Sequence, residues 1–80
     1  DTTRSVEVSF TTAVDPERFS HPSVLRVEPM GDKFRIFTRN PDEVVKSIVT
    51  RADQDRLVIA SLNTRGPSLE EAFLAITGES

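Results

Sequence analysis

The groups through which this chain could do chemistry are one histidine, two closely spaced aspartates, a hydroxyl cluster, scattered arginines and three glycines. They form no reactive set. His21 stands beside Pro22, and there is no Cys to share a metal with it or to serve as a thiolate. A general base needs a nucleophile or a substrate proton within reach, and the sequence nominates none, so His21 is expected as a surface loop residue. Asp53 and Asp55 lack the further oxygen ligands of a calcium loop and read as a solvated turn. Ser9-Phe10-Thr11-Thr12 reads as the polar side of a strand end. Gly31, Gly66 and Gly78 are too scattered to cradle a phosphate, and no G-x-x-x-x-G-K-[ST] segment occurs. Arg35, Arg39, Arg51, Arg56 and Arg65 lie among acids and are expected to be solubilising charges. The expected sets of catalytic, cofactor-binding and metal-binding residues are therefore empty, and no enzyme activity is expected.

Size and charge narrow the classes further. The 80 residues suffice for one small unit, expected to span 1–80. A core of this size supplies only about 3–5 kcal/mol of stability. The hydrophobic fraction of 36% and charged fraction of 29% are those of a folded globular chain. Net charge is −3, which speaks against nucleic acid as a partner. No apolar run approaches the roughly 20 residues that span a bilayer, so direct membrane insertion is not expected. The start at Asp1, without Met and close to a first strand, suggests a fragment of a longer protein.

The elements that position these residues follow from periodicity. Val6, Val8 and Phe10 alternate with Ser5, Glu7, Ser9 and Thr11 as a half-buried strand. Asp15-Pro16-Glu17 opens a short helix, with Asp15 as N-cap and Pro16 at its first position, and His21-Pro22-Ser23 ends it. Val24–Glu28 forms a second strand with Leu25 and Val27 on the core side. Met30-Gly31-Asp32 turns into a third strand, in which Phe34, Ile36 and Thr38 alternate. Asn40-Pro41-Asp42-Glu43 starts a longer helix whose apolar stripe is Val44, Val45, Ile48, Val49 and Ala52. After the turn at Asp53-Gln54-Asp55, Leu57–Leu62 is a nearly continuous apolar run of strand length.

The resulting order, β-α-β-β-α-β, is the α+β, ferredoxin-like split βαβ arrangement of an antiparallel sheet, with an extra C-terminal helix. Helices on one face and sheet order 4-1-3-2 make strands one and three central, where Glu7 and Arg35 form a cross-strand pair. The open face then carries Glu7, Ser9, Arg35 and Arg26, with Phe37 as its main apolar member. A continuous run at Leu57–Leu62 implies cover on both faces. Its outer side, either Val58, Ala60 and Leu62 or Leu57 and Ile59, is expected to need the terminal helix or a partner.

The closing segment is the most informative. Ser68 can cap the amide three residues on while Glu71 reaches back to the amide of Ser68, making a capping box. Leu69, Ala72, Phe73 and Ile76 follow at helical spacing as one stripe, and Gly78 supplies the left-handed residue that closes such a helix. Leu69, Phe73 and Ile76 are expected to dock the helix. Glu70 and Leu74 lie off the stripe and are the candidate interaction residues.

This stretch, Ser68-Leu69-Glu70-Glu71-Ala72-Phe73-Leu74-Ala75-Ile76-Thr77-Gly78, resembles the SLEEVFL…LTG signature near the C-terminus of ABC-transporter ATP-binding subunits. The relevant types are drug-resistance and ABC-2 exporters, with the related regulatory domains of the lipid-exporting A subfamily. Ser68, Leu69, Glu70, Glu71, Phe73, Leu74, Thr77 and Gly78 carry the match; Ala72 stands where Val is common. Upstream, the order of elements also resembles that accessory domain, although His21-Pro22-Ser23 replaces a frequent Gly-Val turn. The resemblance implies a non-catalytic role, with ATP and Mg bound only by an ATPase core upstream in the same chain. It implies as partners that core, a second ATP-binding subunit and, indirectly, the membrane permease. The implied location is cytoplasmic, peripheral to the inner membrane, and the isolated unit is expected as a monomer or weak dimer.

Two readings from other classes compete. A ferredoxin-like small-ligand sensor needs a pocket of convergent polar groups, and ligand binding by a sensor raises thermal stability by mass action. RNA binding on the open face needs stacking aromatics in a basic surround, whereas this chain has five Phe, no Tyr and no Trp.

Overall fold

A computed structural model describes residues 3–66 as a four-stranded antiparallel sheet with one α-helix and one 3₁₀ turn against it. The elements are β1 (Arg4–Phe10), the 3₁₀ turn Pro16–Phe19, β2 (Arg26–Met30), β3 (Lys33–Thr38), α1 (Pro41–Gln54) and β4 (Ile59–Arg65). The strand order β2-β3-β1-β4 makes β1 and β3 central, as expected from the order of elements. The expected extra helix over Ser68–Thr77 lies outside the described residues.

The core follows from alternation. Val6 and Val8 of β1, Ile36 of β3, and Val44 and Ile48 of α1 are all but fully enclosed, with Phe19 of the 3₁₀ turn beside them. At about 25 cal/mol per Å² of buried apolar surface, these side chains supply most of what holds helix to sheet. Gly31 and Asp32 form a two-residue hairpin loop between Met30 and Lys33. A left-handed φ of 65° at Gly31 alone is the pattern of a type II′ turn, whose twist suits the flanking strands.

Four expectations need correction. The first helix is a single 3₁₀ turn of 4 residues rather than an α-helix, so the described residues hold one α-helix where two were expected. Asp15 does cap it, accepting from the Glu17 amide at 2.9 Å. Only the span from Pro16 to Phe19 is available, because His21 precedes a proline and is steered out of the helical region.

Leu25 is half exposed, since it enters an edge strand at Arg26 and has no neighbour on one side; Val27 does pack on the core. Val49 is likewise 47% exposed, so the stripe that α1 buries is Val44, Ile48 and Ala52, with Val45 half-buried.

The fourth correction concerns the run Leu57–Leu62. Ser9 pairs with Ser61 but Phe10 with Ile59, so Ala60 is an extra residue and β4 bulges there. The bulge resets the alternation, which places both Ile59 and Leu62 against the core although they are three residues apart. Continuous apolar character thus reflects a change of register and not cover on both faces; Val58 and Ala60 are exposed.

Helix α1 ends in a two-bond closure. The Leu57 amide donates to Ala52 O at 2.8 Å and the Arg56 amide to Asp53 O at 3.4 Å, with Arg56 at φ 58°. This is a Schellman motif with arginine at the position that favours glycine. Left-handed backbone is unfavourable for a residue with a Cβ, so Arg56→Gly is expected to stabilise the fold by about 0.5–1 kcal/mol. A urea midpoint that fell instead would show that the Arg56 side chain contributes more than the strain it carries.

Candidate functional site: the open face of the sheet

One face of the sheet packs under α1 and the 3₁₀ turn. The other presents alternate residues of all four strands: Arg26 and Glu28 of β2, Lys33, Arg35 and Phe37 of β3, Ser5, Glu7 and Ser9 of β1, and Ser61, Asn63 and Arg65 of β4. Register assembles them. Glu7 sits opposite Arg35 on one side and Asn63 on the other, while Ser9 faces both Lys33 and Ser61.

Glu7 is the hub. It is 8% exposed. Its Oε2 accepts from Arg35 Nε at 3.1 Å and from a second Arg35 nitrogen at 2.8 Å, and its Oε1 lies 3.8 Å from Arg65. Two nitrogens of one planar guanidinium on one carboxylate fix orientation as well as charge. Next along β1, the hydroxyls of Ser9 and Ser61 share a hydrogen bond at 2.6 Å. At the β2 edge the Arg26 guanidinium lies 4.1 Å from the centre of the Phe37 ring and its side chain pairs with Glu28 at 3.3 Å.

The expected open-face set of Glu7, Ser9, Arg35, Arg26 and Phe37 is therefore present, and Glu7 and Arg35 pair as expected. Arg65 is a correction: scattered in the sequence, it is drawn to Glu7 by the β1–β4 register. Arg26 over Phe37 was also missed, although the hairpin turn sets those two residues opposite each other. The arginines of this face are matched by carboxylates, Arg26 by Glu28 and both Arg35 and Arg65 by Glu7. The arginine charges of this face are therefore locally balanced.

The other sequence candidates are not brought here. His21 Nδ1 accepts from the Ser23 amide at 3.0 Å, and the imidazole borders a shallow groove with Glu43, Ser47 and Gln54 on α1. Asp53 lies in the last turn of α1 and Asp55 caps the helix, its carboxylate paired with Arg18 of the 3₁₀ turn. Among the described residues no three His, Cys, Asp or Glu side chains gather where they could hold a metal. No described helix is long and apolar enough to cross a membrane. The signature residues Ser68, Leu69, Glu70, Glu71, Phe73, Leu74, Thr77 and Gly78 lie outside the described residues.

No family model, curated protein or solved structure matches this chain.

Proposed function

We propose that this chain is the non-catalytic C-terminal regulatory or interaction domain of an ABC exporter's ATP-binding subunit. In that role it supports dimerisation of the ATPase subunits or their coupling to the permease, on the cytoplasmic side of the membrane. The observation that carries the proposal is the sequence Ser68–Gly78, with its likeness to the SLEEVFL…LTG signature. The sheet order β2-β3-β1-β4 supports a ferredoxin-like reading, in which the 3₁₀ turn stands in the place of the first helix. The ionic open face supports a protein partner, since its charges are already ordered by Glu7 before any contact forms.

The test compares the parent subunit with and without this unit. Its removal is expected to leave ATP binding intact while weakening ATP-driven dimerisation or permease-coupled turnover by about tenfold, the scale of a 1.4 kcal/mol coupling. An NMR titration of the isolated chain with Mg·ATP is expected to move no amide. Shifts across many amides, or a parent gene with no Walker-type segment ahead of Asp1, overturn the proposal.

A further inference from the structure

Helix α1 buries Val44, Ile48 and Ala52. At about 100° per residue, Ser47 and Arg51 fall together on one flank of that stripe, with Glu43, Thr50 and Gln54 further round toward solvent. The loop after the 3₁₀ turn brings His21 to this flank, and between them runs a shallow groove of about 330 Å³. Its lining is polar throughout: two hydroxyls, an amide, an imidazole and three charged groups, with no Phe, Leu, Ile or Val.

The ring and the charges are not free to do anything. His21 Nδ1 accepts from the Ser23 amide at 3.0 Å, so the neutral imidazole carries its proton on Nε2 and has a donor left to offer. Lys46 Nζ lies 3.8 Å from Glu43 Oε2, and these two charges offset each other. Arg51 has no ion pair among the described residues and is exposed, which leaves one unmatched cation in the groove.

We propose that this groove binds a small hydroxycarboxylic acid, its carboxylate held by Arg51 and its hydroxyls by Ser47, Thr50 and Gln54. A guanidinium meets a carboxylate with two parallel N–H donors, and His21 Nε2 adds a third from the opposite wall. One unmatched cation favours a ligand with a single negative charge. Hydroxyl and amide side chains donate and accept alike, so they suit a polyol body and give an apolar one nothing to bury against. The same lining disfavours a nucleotide, because no Phe stands in the groove to stack a base and a triphosphate brings more charge than Arg51 balances. The site goes beyond the exporter reading and holds whatever this unit serves.

The probe is gluconate, titrated into the full chain and followed by NMR, with acetate and glycerol as its separate halves. Gluconate is expected to saturate with millimolar affinity, moving the His21 ring and the amides of Ser47, Thr50 and Arg51 while those of Glu7 and Arg35 stay in place. Acetate and glycerol are each expected to bind at least tenfold more weakly. Arg51→Ala changes an exposed helical position, so the urea midpoint is expected to hold while gluconate affinity falls at least tenfold. Arg4→Ala removes one charge outside the groove and is expected to leave affinity as it was. The proposal is overturned by the lack of any saturable shift, by shifts spread over the open face, by an Arg51→Ala variant that binds like the parent, or by acetate binding as tightly as gluconate.

Discussion

Phe19→Ala is expected to leave this chain largely unfolded at room temperature. Phe19 is the buried residue of the 3₁₀ turn and is 5% exposed. Its ring stacks on Phe10 of β1 at 5.7 Å between centroids and tilts against Phe34 of β3 at 5.2 Å. Deleting a buried Phe side chain costs about 3–5 kcal/mol, and a core of this size holds only about 3–5 kcal/mol in all. Phe19→Leu keeps most of the volume and is expected to cost about 1.5 kcal/mol or less, losing chiefly the aromatic contacts. Urea titration followed by circular dichroism compares the two. An alanine variant within 1 kcal/mol of the parent would mean that the turn is a connection and not a wall of the core.

The same residue marks where sequence reading reaches its limit. Alternation in β1 and β3 is legible because both strands bury one face and wet the other: Val6 and Val8 against Glu7 and Ser9 need no tertiary information. Sheet order and the Glu7–Arg35 pair then follow from connectivity, since short links and helices on one face leave few ways to arrange four strands. Two features escape. One is the type of the first helix: His21-Pro22 already limits its length, but Asp15-Pro16 announces a start equally well for an α-helix or a 3₁₀ turn. The other is the bulge at Ala60. A run such as Leu57–Leu62 carries no periodicity, so nothing local marks where the alternation is reset; the pairing of Ser9 with Ser61 and Phe10 with Ile59 sets it. The candidate site divides the same way. Arg35 and Glu7 are opposed by the hairpin and the central pairing, but Arg65 reaches Glu7 only through a register to which that bulge contributes.

Glu7→Lys is expected to cost about 3–5 kcal/mol, the scale for stranding a buried charge without its partner. The new ammonium would sit between Arg35 and Arg65 on a residue that is 8% exposed, with three cations where one carboxylate now orders two. Sign is decisive here, not volume. Replacing the pair by apolar side chains, Glu7→Leu with Arg35→Met, removes both desolvated charges at once and is expected to recover stability to within about 1 kcal/mol of the parent, whereas Glu7→Leu alone leaves Arg35 unmatched and falls between. Arg65, with most of its side chain in water, needs no compensation. Glu7→Leu, Arg35→Met and the double variant, measured against the parent by urea midpoint, give the coupling between Glu7 and Arg35. A coupling near zero would show that water screens the pair despite the enclosure of Glu7. A large coupling with a stable double variant makes a sheet that is folded but stripped of its ionic face. On the proposed reading, a parent subunit that carries that sheet and then dimerises or couples poorly places the loss in recognition and not in folding, and the Glu7 network is the contact that the proposed role requires.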